Sequence, residues 1–240
     1  MRMRRLALAG AAALLLAGCG GSDESASDSS AAASSSSESG SELSRMEAAE
    51  VVDASFTALE ESGAARVVGS IEENGSLQEL DLQLQGDDVS GSITMDGVAV
   101  QLISVGGQAY VQAPADFWSS FGMPAEFAGQ LEGQWVLMPP EAAESFASLT
   151  LSGLVAELRS AGGDSVKGEV TTDELEGEEV VVVTQEDGST FTARDDDAEP
   201  FPLLIEDKGD APATVEFSGF GEPTEITAPP NPFDLNTLGG

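Results

Sequence analysis

Histidine is absent from all 240 residues, and cysteine occurs once, at Cys19. Without histidine there is no Ser-His or Cys-His nucleophile and no histidine-bound zinc. A single cysteine excludes an internal disulfide and any multi-cysteine metal site. Basic residues are also scarce: 9 Lys+Arg stand against 43 Asp+Glu, a formal net charge of −34. Nucleic acid or an anionic membrane surface would repel such a chain, because phosphate binding needs a basic patch. No G-x-x-x-x-G-K-[ST] or G-x-G-x-x-G run is present, so nothing supports nucleotide or dinucleotide use. No cofactor is expected, and neither is an enzyme activity. With 43 carboxylates, no particular pair stands out as a glycosidase-like acid and base. There is no second long apolar run after the first.

That first run organises the N-terminus. Arg2, Arg4 and Arg5 precede an apolar stretch from Leu6 to Ala17, which ends in Leu16-Ala17-Gly18-Cys19. The stretch is too short to cross ~30 Å of hydrocarbon as a permanent helix, so it reads as a processed signal. Small residues before a cysteine form a lipobox, and the thiol at that position is the group that accepts a diacylglyceryl unit. Residues 1–18 are therefore expected to be a lipoprotein signal peptide and Cys19 the lipidated residue. The membrane would then be a partner through the anchor, on the outer face of the cell membrane. Residues 19–43 are almost all Gly, Ser, Ala, Asp and Glu, and read as a disordered acidic tether. About 24 flexible residues span roughly 27 Å r.m.s..

Residues 44–235 are long enough for one domain with a real core, leaving 236–240 as a flexible C-terminus. Ser44 and Glu47 suggest a capping box, and Met46, Ala49, Val52, Phe56 and Leu59 recur at helical spacing until Gly63. Turn signals at Asn74-Gly75, Asp87-Asp88, Asp96-Gly97 and Gly106-Gly107 then separate strands. Leu80, Leu82 and Leu84 alternate with polar residues, as do Ile93 and Met95, and Val98, Val100 and Leu102. One face of this meander is apolar. Residues 115–127 form a helical stretch with Phe117, Trp118 and Phe121, and a strand is expected over 134–138. Phe146, Leu149, Leu154, Val155 and Leu158 suggest one or two helices ended by Gly162-Gly163. Strands return over 166–172, 179–185, 190–194, 202–206 and 214–218, with a last extended segment near Pro230. This order predicts an α+β fold with an antiparallel sheet and helices segregated on one face.

Asp195-Asp196-Asp197 with Glu199 lacks EF-hand spacing and reads as a solvated turn rather than a calcium site. Asn74-Gly75-Ser76 matches a glycosylation acceptor but reads better as a hairpin turn. Aromatic helices over a one-sided sheet either pack shut or enclose an apolar pocket.

Several fragments in order sharpen this. They include the lipobox and acidic tether, Ile93-Thr94-Met95-Asp96-Gly97-Val98, Ala109-Tyr110-Val111 followed by Phe117-Trp118, and Gly133-Gln134-Trp135-Val136. Pro202-Leu203-Leu204-Ile205, Phe220-Gly221-Glu222-Pro223 and Ile226-Thr227-Ala228-Pro229-Pro230 continue the series. Across nearly its whole length the chain resembles the actinobacterial lipoproteins of the LppX/LprG type. The resemblance implies an antiparallel half-barrel sheet wrapped over a few helices, similar to periplasmic lipoprotein chaperones. It also implies passive carriage of an acylated lipid or glycolipid. Leu82, Leu84, Ile93, Met95, Val100 and Leu102 would then line one wall, with Phe117, Trp118, Phe121, Leu154 and Val155 as the helical lid. The alternative is an envelope lipoprotein with a filled core that recruits protein partners through its surface.

Two outcomes are expected. Cys19→Ala should release the protein from membranes or leave it uncleaved; normal processing with unchanged membrane retention would sink the anchor. Charge self-repulsion should be screened as the Debye length falls from about 30 Å at 0.01 M salt to about 3 Å at 1 M. The melting temperature should therefore climb between low and molar NaCl, and a flat profile would mean that the carboxylates are already compensated locally.

Overall fold

The computed structural model describes residues 40–73, 75–140, 149–162, 166–209 and 211–235. Cys19, the signal segment, Asn74, Phe146, Gly163 and the C-terminal 236–240 lie outside them.

The chain enters through a tight turn over Leu43–Arg45, whose Leu43 is buried in the core. Helix α1 (Ala48–Ser62) follows, and its start differs from the sequence expectation. The capping box is made by Glu47 and Glu50, whose carboxylate accepts from the Glu47 amide at 3.1 Å. Ser44 instead bonds back to the Ser41 carbonyl. Burying Leu43 costs the chain one extra turn, so the helix begins later and its inward face rotates. Ala48, Val51, Ser55, Phe56 and Leu59 are buried, while Met46 is exposed and Ala49 faces solvent. Gly63 ends the helix at φ +70°, the left-handed conformation that glycine adopts without strain.

Five strands then run as a meander: β1 (Ala64–Glu73), β2 (Ser76–Gln85), β3 (Asp88–Met95), β4 (Val98–Val105) and β5 (Gln108–Gln112). The turn between β2 and β3 is Gly86-Asp87, one residue earlier than expected, because Gly86 supplies the positive φ of +56°. Two short helices, α2 (Ala115–Ser120) and α3 (Ala125–Leu131), replace the single expected stretch, with Gly122 (φ +81°) between them. Strand β6 (Trp135–Leu137) and helix α4 (Leu151–Gly162) precede a second meander. Its strands are β7 (Glu169–Leu175), β8 (Glu178–Thr184), β9 (Thr190–Arg194), β10 (Pro202–Asp207) and β11 (Ala213–Ser218), and β12 (Phe233–Asp234) closes the chain.

All twelve strands form one open sheet, in the order β12-β6-β5-β4-β3-β2-β1-β11-β10-β9-β8-β7. Every pairing is antiparallel except β12 with β6. The fold is α+β in a single domain, as the order of elements predicts. The two meanders join at the pairing of β1 with β11, from Arg66 opposite Ser218 to Ile71 opposite Ala213. One sheet face carries the apolar set: Val67, Leu82, Leu84, Val89 and Leu102 from the first meander, and Val181, Val183, Phe191, Ala193 and Phe217 from the second. Helices α1 and α4 cover that set. Arg159 on α4 pairs with Asp53 and, at 3.4 Å, with Glu60 on α1, its guanidinium 5.9 Å from the Phe56 ring centre.

Gly91 in β3 lies opposite Leu82. Its φ is +151°, and a Cβ there would stand 2.0 Å from the Asp81 carbonyl oxygen. Gly91→Ala should therefore cost about 2 kcal/mol or more, lowering the melting temperature by several degrees. Gly63→Ala has open space around its Cβ and suffers only the left-handed backbone, on the order of 1 kcal/mol. Equal melting temperatures for the two variants would contradict this account of the β2–β3 contact.

Candidate functional site

Register on the first meander brings the inward residues into lines across the strands. Leu84 faces Val89, Leu82 faces Gly91 and Leu80 faces Ile93. On the next pair Gly91 faces Leu102 and Ile93 faces Val100. Alternation makes these one continuous apolar strip, but the helices cover it in two groups.

The first group is α1 with α4. Leu82, Leu84, Leu102 and Val155 are buried in this cluster, and Ile93 and Leu154 are half-buried against it. Phe56 packs edge-on to Phe191, with ring centres 5.5 Å apart. The second group is α2 with α3. Val100, Val111, Val136, Trp118, Ala128 and Leu131 form a separate cluster, with Phe117, Phe127 and Phe233 packed against it. Trp118 is its anchor: it is fully buried, its indole N–H donates to the Ala113 carbonyl at 3.3 Å, and Phe117 meets its ring edge-on at 5.1 Å. Burying an indole with its N–H satisfied is the low-cost way to use a tryptophan in a core.

The boundary between the clusters crosses the sheet at two register pairs, Ile93 with Val100 and Leu102 with Val111. Ile93 belongs with the first cluster and its partner Val100 with the second. Along β4, Val100 and Leu102 are neighbours on the same face yet fall on opposite sides of that boundary. Two of the expected lining residues are not covered: Met95 is 39% exposed and Phe121 69% exposed. Phe121 stays against Phe117, 4.8 Å between ring centres. The residues expected to form one wall and one lid are therefore split between two packed clusters and an exposed apolar rim. The sequence reading missed the contribution of β8, β9 and β11 to the first cluster, although the run Val180–Val183 is a visible core signal.

Polar groups are almost confined to the other face and the loops. Arg66 holds Asp81 by two bonds, Nε to Oδ1 at 2.9 Å and an Nη2 contact to Oδ2 at 2.8 Å. That pairing keeps the Asp81 carboxyl below its ordinary pKa, with hydrogen bonding from the guanidinium the largest cause. Asp187 is also lowered, first by the Ser189 amide that donates to it at 2.9 Å. The Asp195-Asp196-Asp197 run is used up in loop bonding. Asp195 accepts from the Ser41 hydroxyl, Asp197 from the Leu43 amide at 3.1 Å, and Asp196 from the Ala198 amide at 2.8 Å. Among the described residues no group of three carboxylates is placed to hold a metal ion. Nor is any helix there long and apolar enough to cross a membrane. Two clefts, of about 540 and 300 Å3, open on the sheet face away from the helices.

No protein-family model matches the chain, and no curated protein matches it. Among solved structures it is similar to the lipoprotein LppX of Mycobacterium tuberculosis, at 12% identity and a TM-score of 0.45. That match covers 75% of this chain and 97% of the other. An uncharacterized conserved protein from Thermus thermophilus is similar at 11% identity and a TM-score of 0.31, over 78% of this chain and 96% of that one. MucB is similar at 14% identity and a TM-score of 0.33, over 77% and 65%. At these values each is a distant likeness only.

Proposed function

We propose that this chain is a membrane-anchored, extracytoplasmic lipoprotein that passively binds and carries an acylated lipid or glycolipid, without enzymatic chemistry. The observation that supports it most is the seam at Ile93 and Val100. There one apolar sheet face passes from one helix group to another, and Met95, two residues along β3 from Ile93, stays exposed at its rim. Parting the two helix groups along this seam would expose apolar side chains on both sides. An acyl chain moving from a bilayer into such a seam exchanges one apolar medium for another. Each methylene is worth ~0.8 kcal/mol only against water, so the transfer itself needs little driving force. The lipid anchor at Cys19 would keep the seam within reach of its source.

The second reading, a structural or partner-recruiting lipoprotein with a filled core, is favoured by the packing at Leu84 and Leu102, which are 0% and 1% exposed. The two readings differ at the seam rather than in the core. Leu84→Trp should overpack the first cluster and cost roughly 1–3 kcal/mol under either. Ile93→Trp should instead change stability by less than about 1 kcal/mol while reducing binding of a fluorescent acyl probe several-fold, if the seam opens. No probe binding by the wild type, with Ile93→Trp as damaging as Leu84→Trp in thermal melts, would refute the carrier and leave the filled-core reading.

A further inference from the structure

Strand alternation should leave the sheet's outer face polar, and over much of β1, β2 and β9 it does. The exception is the larger cleft, of about 540 Å3, where β1, β11, β10 and the β7–β8 turn meet. Its apolar floor has an identifiable cause. The register of β10 against β9 shifts between Pro202 and Leu204, so Leu203 is an extra residue in the strand. A bulge of this kind re-aims side chains, and here Leu203 and its neighbour Leu204 both line the same cleft. Val68 from β1, Leu175 from β7, Phe217 from β11 and Phe220 from the loop after it add to the apolar lining. The size lies within the range of small-molecule sites.

The charges around this floor are not balanced. Arg66 is committed to Asp81 through both Nε and Nη2. Arg194 is committed to Glu178 and Glu199, with its guanidinium over the stacked rings of Phe201 and Phe220 at 5.3 and 5.9 Å. Two further lining carboxylates, Glu176 and Glu216, pair with no basic side chain among the described residues. An anion entering here would meet two committed guanidiniums, two uncompensated carboxylates and the field of a chain with 43 acidic residues against 9 basic. A cation would find charge complementarity at the rim and apolar area on the floor.

We propose that the cleft framed by Leu203, Leu204, Phe220, Glu176 and Glu216 binds a small organic cation with an apolar body. It is a second site, on the opposite sheet face from the seam, and it does not depend on the carrier reading. The test uses the full chain held in zwitterionic lipid nanodiscs, titrated with phenethylammonium, with 3-phenylpropionate as the anionic counterpart and empty nanodiscs as the blank. Saturable one-to-one binding of phenethylammonium is expected, roughly tenfold or more tighter than that of phenylpropionate. The double variant Glu176→Gln/Glu216→Gln changes only polar side chains at the cleft rim and should keep the wild-type melting curve while weakening the cation about fivefold or more. Leu204→Arg should remove binding, and Ile93→Trp, on the other face, should leave it unchanged. Equal binding of the two ions, a response that never saturates, or full binding by the double variant would overturn the proposal, since counterion condensation on an acidic chain would then account for the signal. Loss of binding in Ile93→Trp would overturn it as well, by moving the ligand to the seam.

Discussion

Each half of this chain builds a meander that its own turns dictate, and neither meander is a finished structure. The first runs outward from β1 through β5, the second inward from β7 to β11, and they become one sheet only where β1 pairs with β11. That pairing joins residues about 150 positions apart and is flanked on the apolar side by Val67 opposite Phe217, both buried. Helix α1 lies where it does because the first cluster draws residues from both meanders, Leu82 and Leu84 from one, Val181, Val183 and Phe191 from the other. Without the β1–β11 contact, α1 would have half a floor. Pairings of such sequence separation are assembled late and slowly, because loop-closure entropy must be overcome before they contribute.

Turns and alternation were legible in the sequence because both are local. Asp96-Gly97 and Gly106-Gly107 are turns with positive φ, and Val98, Val100 and Leu102 do face inward. The start of α1 was not legible, since Ser44 and Glu47 match the capping pattern better than Glu47 and Glu50, which make the box in the structure. The choice was made by Leu43, whose burial against distant strands has no trace in the spacing. For the candidate site, residue type and face could be read but not the division into two clusters. Nothing in the strip from Leu80 to Leu102 marks the step from Ile93 to Val100 as a boundary. That step depends on which helix group covers which register, a property of the assembled sheet.

The acidic composition shapes the surface more than the core. Three of the nine basic residues precede Cys19, and Arg66, Arg159 and Arg194 are each bound to carboxylates. Half-exposed pairs such as Arg66 with Asp81 contribute little to stability, because solvent screens them. Their importance is positional: Arg159 fixes α4 beside α1, and Arg194 fixes the Phe201–Phe220 stack at the mouth of the outer cleft. Asp195 and Asp197 play the same part at the entry of the chain, where they hold Ser41 and the Leu43 amide. A carboxylate-rich loop that reads as solvated in the sequence is thus what seats Leu43.

The two faces of the sheet divide the physical work accordingly. The inner face is hydrocarbon divided into two packed clusters that meet along β3, β4 and β5. Opening inside either cluster would strip a packed side chain such as Leu84 or Trp118 of its neighbours, at roughly the 2–5 kcal/mol that large-to-small substitutions in cores cost. The outer face differs: its cleft of about 540 Å3 lies at a bulge in β10 and is rimmed by Arg66, Glu176, Glu178, Arg194 and Glu216.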